Sequence, residues 1–413
     1  MPFHLVVGFL LNQLKGAYRR EIDDFLRAVQ MPQQVSAAAV CKARYALKSS
    51  VFSELNVTLL QHAAEVVQPT LWRTRRIMAV DGSVLNLPKT PGMFEAFGGQ
   101  RMSKSQGSAH LPMARFSQLY DVSTGLSWHA ILDPYAIGEA VAAAEHLQHA
   151  PADALILYDR GYPSYFLIAQ HVKHVRDFCM RVPRGFSPET DLLFADDSNT
   201  SVEFLLKPNA KARALCKEHA QPIDPVRVRA VRVVLPAKKT KSSVVQQSCI
   251  EVLVTTLLDT KAYPDDAFGA LYNHRWTIEG DFRHQKSRLQ LENWTGKSAA
   301  TVRQDVFARV LSKNVVQVLI VEAQRRLDLQ RAQAKAAQRA ASKHRKRINA
   351  TVALHLSKFK LIAYLLKPNA ENLEPLVFQM MKNTNAQRCG RSYERLEKRG
   401  KSNRYPMGYK QTA

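Results

Sequence analysis

Two apolar runs that each end in an aspartate constrain the fold of this chain more than any other feature. Arg76-Ile77-Met78-Ala79-Val80-Asp81-Gly82-Ser83 reads as a strand closing on an acid and a glycine. Ala154-Leu155-Ile156-Leu157-Tyr158-Asp159 reads as a strand covered on both faces, the kind found in parallel sheets. Between them Met113 to Asp121 alternates, Val122-Ser123-Thr124-Gly125 turns, and Leu126 to Leu132 alternates again. That is a hairpin able to pair with the first run. Glu139 to Ala150 predicts a helix. Arg160-Gly161-Tyr162 closes the second run, a helix follows from Ser164 to His171, and Phe178 to Val182 makes a further short strand.

Three strands, a helix, a strand, a helix and a strand follow the order of a ribonuclease-H-like α/β core, a mixed sheet still lacking its last helix. Asp81 falls on the first strand and Asp159 at the end of the fourth. Residues 183–257 supply strand-like segments at Val226–Leu235 and Val244–Leu258, joined by polar and Pro-rich connections, and predict a mostly β insertion ahead of the missing helix. The stretch Tyr272 to Lys286, YNHRWTIEGDFRHQK, supplies that helix. Trp276, Ile278, Glu279, Phe282 and Lys286 recur at helical offsets. At ~100° per residue, Arg275, Glu279 and Lys286 lie within roughly a quadrant of one face. A solvated salt-bridged face has the same look, and an aspartate before glycine at a strand end is an ordinary turn former. What distinguishes this chain is that three acids arrive on elements that can bring them together.

Asp81, Asp159 and Glu279 would repel one another and shift each other's pKa unless cations lie among them. Hard divalent cations with oxygen ligands, Mg2+ or Mn2+, relieve that repulsion. Two such ions ~3.5–4 Å apart can activate a water or a 3′ hydroxyl and stabilise the leaving oxygen at phosphorus. Charge points to the same class of partner. Lys plus Arg number 59 against 35 for Asp plus Glu, a net charge of +24 over 413 residues, which favours a polyanion. A ribosome-associated or anionic-membrane protein shares that balance, so charge gives a partner class only.

The five cysteines are scattered and never paired as CxxC, which argues for a reducing compartment and against a zinc module. The apolar run in MPFHLVVGFLLNQLKGAYRR is too short to span a bilayer and its basic residues follow it, so it predicts an amphipathic helix rather than a signal peptide. The expected location is the cytoplasm, on the nucleoid when DNA is bound. Residues 1–70 are expected as a helical N-terminal region: a helix from Val6 to Val29 stopped by Met31-Pro32, a second capped by Ser36, and a third capped by Ser49 or Ser50. Lys42, Arg44 and Lys48 in the middle helix resemble a helix-turn-helix unit, making Lys42 and Arg44 candidate DNA contacts. Core segments are expected at 71–182 and 258–325, flanking the insertion. Residues 326–413 are expected as a basic helical region and tail, with 324–347 an exposed helix or basic linker. Lys239, in the basic loop Lys238-Lys239-Thr240-Lys241, is a further candidate contact.

Val80-Asp81-Gly82-Ser83, Tyr158-Asp159-Arg160-Gly161-Tyr162 and Tyr272-x2-Arg275-x3-Glu279-x6-Lys286, taken in order, resemble the signatures of bacterial DDE transposases. The match is to the group with the Y-R-E-K motif, insertion-sequence family four, over about residues 30–300. The resemblance implies cut-and-paste transposition: nicking at the transposon end, hairpin formation by the freed 3′ hydroxyl, hairpin opening, and strand transfer into target DNA. It implies that Asp81, Asp159 and Glu279 bind the metals, with Mg2+ as cofactor and Mn2+ able to substitute. Tyr272, Arg275 and Lys286 would hold end phosphates, with Arg160 and Trp276 as further DNA contacts. Trp276 and Trp294 each suit either a base-stacking surface or a core position. The partners implied are double-stranded DNA, as terminal inverted repeats and target, and a second copy of the chain in a synaptic dimer. Ser83 stands where relatives often carry Thr, which keeps the hydroxyl. Two other readings stay open: another ribonuclease-H-superfamily endonuclease, which has no need of the Y-R-E-K array, and a non-catalytic DNA-binding relative, which leaves the three acids unexplained.

Overall fold

A computed structural model describes residues 1–12, 16–31, 34–101, 110–235, 238–239, 245–246, 249–336, 344–358, 360–366, 373–387 and 408–409. Its centre is one large mixed sheet of ten strands. The first five principal strands are β1 (Arg75–Asn86), β2 (His110–Asp121), β3 (Ser127–Pro134), β4 (Ala154–Tyr158) and β5 (Asp177–Val182). They lie in the order β3-β2-β1-β4-β5, with β1–β2 and β2–β3 antiparallel and β1–β4 and β4–β5 parallel. This is the ribonuclease-H-like arrangement that the order of sequence elements predicts. Side chains alternate across the sheet as period two requires. Met78, Val80, Ile156 and Tyr158 enter the core on one face, while Ile77, Ala79, Leu155 and Leu157 enter the core on the other.

The insertion departs from expectation in two respects. Its strands β6 (Ser201–Leu206), β7 (Val226–Leu235) and β8 (Cys249–Thr255) do not form a separate β unit but continue the same sheet beyond β5, in the order β5-β8-β7-β6. Pairing β8 antiparallel to β5 covers what would otherwise be an open edge next to the Asp159 strand. Two short helices, Pro188–Ala195 and Ala210–Glu218, accompany these strands. The expected strand from Val244 is shorter, because Val245–Gln246 instead pairs with Lys238–Lys239 as a small ribbon.

At the N-terminus, α1 (Phe3–Leu11), α2 (Tyr18–Ala28), α3 (Ala37–Tyr45) and α4 (Ser50–Val66) precede the sheet. The single helix expected from Val6 to Val29 is therefore two. Gly16 lies in the break, and its N–H donates to Glu21 Oε1 at 2.6 Å. Ser36 caps α3 as predicted, accepting from Ala39 N. A 38-residue helix, Ala299–Ala336, runs behind the core; α1, α3 and α4 pack on it, as do the C-terminal helices Ala350–Ser357 and Leu373–Lys382. Among the described residues no helix is long and apolar enough to cross a membrane.

Candidate active site

β1 carries Asp81 in its middle, directly opposite Gln118 of β2. Asp159 follows the last residue of β4, the neighbouring parallel strand. Glu279 lies in the first turn of the helix Trp276–Ser287, which packs against β1. The three acids thus converge at one end of the sheet. Burial pushes the Asp81 carboxyl up to about 7; the Gly82 N–H bond pulls it down, Asp159 raises it, Arg275 lowers it, and Glu279 raises it again. One buried carboxyl feeling both others is the arrangement expected of acids that share a cation.

The acids do not form a closed ligand cage as they stand: among the described residues no group of three His, Cys, Asp or Glu side chains is arranged to hold a metal ion. Each instead takes a local donor. Asp81 Oδ1 accepts from Gly82 N at 2.8 Å, Asp159 Oδ1 accepts from Gly161 N at 2.7 Å, and Glu279 Oε1 accepts from Arg275 Nη2 at 2.8 Å. The donor chemistry nevertheless fits a hard divalent cation, since the set is all carboxylate oxygen and Asp81 is penalised for charge it cannot share.

The Y-R-E-K positions divide. The expected continuous helix breaks at His274–Arg275, where a tight turn joins Ala267–Asn273 to Trp276–Ser287. Tyr272, on the first of these, is 4% exposed, and its hydroxyl donates to Tyr158 O at 3.1 Å. Its ring therefore belongs to the core, and its proton holds the end of the Asp159 strand rather than a phosphate. Arg275 is 2% exposed and is committed to Glu279, with its guanidinium 4.5 Å from the Trp276 ring centroid and its Nε buried without a partner. Lys286 donates to Val84 O at 2.8 Å and lies 4.0 Å from Glu292, with burial lowering its pKa. The array braces the site first. Trp276 and Trp294 separate cleanly: Trp276 is 41% exposed beside Arg275, while Trp294 is fully buried and donates to Asn86 O.

Arg160 and Lys42 are exposed. Arg44 is not, which corrects its expected role as a DNA contact. It is 2% exposed and pairs with Asp305 at 3.1 Å while donating to Gln304, Thr295 and the Thr301 carbonyl. An arginine so placed fastens α3 to the long helix. Lys239 lies in the two-residue strand Lys238–Lys239, and its side chain falls outside the described residues. Sequence reasoning missed Glu139. A Cβ on Gly161 would come within 3.2 Å of Asp159 Oδ1 and 3.3 Å of Glu139 Oε2, so the glycine of Arg160-Gly161-Tyr162 leaves room for two carboxylates. Glu139 pairs with Arg115 at 2.6 Å. Nothing in its helical stretch marks it from sequence.

A mixed sheet in this strand order, with one acid on its first strand, one just past the end of its fourth and one on a following helix, is the ribonuclease-H-like arrangement. Residues 72–315, more than half of the chain, match the transposase DDE domain family, and the chain belongs to that family. It is similar to the transposase InsG for insertion sequence element IS4 of Escherichia coli (strain K12), 22% identical over 296 residues covering 70% of this chain. The match spans 62% of that relative, less than two thirds of its length. Among solved structures the chain is similar to a piggyBac transposase synaptic complex with hairpin DNA, seen by cryo-EM. The TM-score is 0.40 and the identity 8%, covering 98% of this chain and 78% of the other.

Proposed function

We propose that this chain is a cut-and-paste DNA transposase of the Y-R-E-K group, insertion-sequence family four. The observation that carries the proposal is the convergence of Asp81, Asp159 and Glu279, felt electrostatically at Asp81. In this reading the chain nicks DNA at the transposon end, forms and reopens a hairpin there, and joins the freed 3′ end to target DNA. Asp81, Asp159 and Glu279 would hold divalent ions, Mg2+ or in its place Mn2+, which would supply charge neutralisation for in-line attack at phosphorus. Asp81 must lose its proton to take part, and its elevated pKa makes that loss sensitive to neutral pH.

The bracing residues act through the acids. Tyr272 fixes the strand end before Asp159, Lys286 ties the Glu279 helix to β1, and Arg275, which holds Glu279, would exchange that hold for a DNA phosphate. An Arg can grip phosphate bidentately, and the uncommitted Nε supports such an exchange. Exposed Trp276 and Arg160, close in the chain to Glu279 and Asp159, act as DNA contacts, with Lys42 and Lys239 as further contacts. The protein works as a homodimer on paired ends, in the cytoplasm on the nucleoid.

Single substitutions Asp81→Asn, Asp159→Asn and Glu279→Gln test the assignment. Each should abolish cleavage of DNA carrying the inverted repeats that flank the gene while leaving end binding within a few-fold. Cleavage unchanged in any one of them removes that residue from the site.

A further inference from the structure

The helix that carries Glu279 buries a second acid on its opposite side. Asp281 lies two positions on, about 200° round the helix. Its Oδ1 is 3.0 Å from Lys313 Nζ of the long helix, with both side chains buried. Its Oδ2 accepts from Gln118 Nε2 at 2.9 Å and from Gln285 Nε2 at 2.6 Å. Gln118 is the residue directly opposite Asp81 in the β1–β2 ladder. Lys313 also donates to Ser127 Oγ at 2.7 Å, and Ser127 donates to Gln118 Oε1 at 2.9 Å, which closes the network on itself.

Stability alone does not explain an ion pair in this place. Desolvating two charges offsets most of their attraction, and apolar residues of the same volume usually hold a helix as well or better. What the pair adds is uniqueness. If the Glu279 helix slid or turned, Lys313 would be left buried without its acid, so only one register satisfies the network. That register sets where Glu279 stands relative to Asp81, because the same acid binds the strand position facing Asp81.

We propose that Asp281 and Lys313 are positioning residues whose buried pair locks the Glu279 helix in the register that brings Glu279 to Asp81 and Asp159. The inference rests on those three acids forming the metal-dependent site.

The test compares the double variant Asp281→Leu/Lys313→Met, which removes both charges at similar volume, with the wild-type chain. Mn2+ affinity is read from free Mn2+ by electron paramagnetic resonance, alongside the thermal midpoint, end-DNA binding and single-turnover cleavage. Mn2+ binding and cleavage should each weaken by ~10–100-fold, the usual effect of losing a residue that orients a metal ligand. The thermal midpoint and end binding should hold. Gln285→Met removes its bonds to Asp281 Oδ2 and to Gln118 Oε1 while leaving the Asp281–Lys313 pair in place, and should move the same quantities less; it decides the matter if the double variant does not fold. Wild-type Mn2+ affinity in a folded variant overturns the proposal, as does a lowered midpoint with unchanged affinity. Glu279→Gln, run in parallel, separates the two levels. If it binds Mn2+ and cuts like wild type, the site reading falls and takes this inference with it. If it is inactive while the double variant behaves as wild type, the positioning role alone falls.

Discussion

Asp81 is placed on a central strand where burial and two neighbouring carboxylates favour its protonated form up to about pH 7. A folded-state pKa above the ordinary 3.8 contributes stability fully present below that value and lost as pH rises through about 7. A metal binds only the ionised carboxylate, so affinity runs the other way and rises with pH until about 7. Calorimetric Mn2+ binding should therefore weaken about tenfold per pH unit below neutrality and level off above it. A flat profile between about pH 6 and about pH 8 would remove Asp81 from the metal-binding set. Arg44 offers the complementary case. Arg44→Ala leaves Asp305 buried without its cation and should cost ~3–5 kcal/mol in urea unfolding. Exposed Lys42→Ala should be neutral to stability. Equal, small effects would return Arg44 to the surface. The two residues show what a sequence reveals and what it hides. The elements that place Asp81, Asp159 and Glu279 were legible, because apolar strand runs and helical spacing mark them. The inward turn of Arg44 was not, because its partner Asp305 lies 261 positions away and helical period does not name the element a face will meet.

Among the elements, the break between the helices Ala267–Asn273 and Trp276–Ser287 matters most. The 3.6-residue pattern runs through it, so the sequence predicts one helix; the tight turn at His274–Arg275 instead lets Tyr272 reach back to Tyr158 O. Tyr272→Phe keeps the ring and loses that bond, so it should cost ~1 kcal/mol in chemical unfolding. No change would mean that the hydroxyl does not brace the Asp159 strand. A second device spans β3 and the turn His146–His149. His129 Nδ1 and His146 Nδ1 are 2.9 Å apart, and His146 Nε2 is 2.9 Å from Ser117 Oγ. Such a chain needs neutral rings, since two imidazolium donors cannot face each other. Burial pulls His129 to about 3 and lowers His146 as well, and it takes the fully buried His171 to about 3. A folded pKa below the ordinary value gives stability that is full above about pH 6.5 and lost progressively toward about pH 3. Asp81 works in the opposite direction over part of that range, but three histidines outweigh one carboxyl. Urea midpoints should fall between about pH 7 and about pH 5. A midpoint that holds or rises would show the rings already charged in the folded state.

In the molecule as a whole, the sheet and its acids are continuous with the helical regions on either side, because Arg44 joins α3 to the long helix and Asn314 Nδ2 donates both to Asn56 Oδ1 of α4 and to Ser127 O beside the Asp281 network. Composition could not reveal that joining; it supplied only the net charge of +24 and the partner class. If ~6–10 phosphates are neutralised on binding, affinity for the transposon end should drop by about 10³–10⁵ between about 50 and about 200 mM salt. A shallow slope would contradict the electrostatic part of the account. The central claim is that three acids from distant parts of the chain cut DNA ends with a divalent metal. It is tested most directly by incubating wild type and Glu279→Gln with Mg2+ and DNA bearing the flanking inverted repeats, and resolving the products under denaturing conditions. Wild type should leave a hairpin on the cut end and the variant none. Cleavage by both proteins alike, or tight end binding with no cleavage by either, would contradict it.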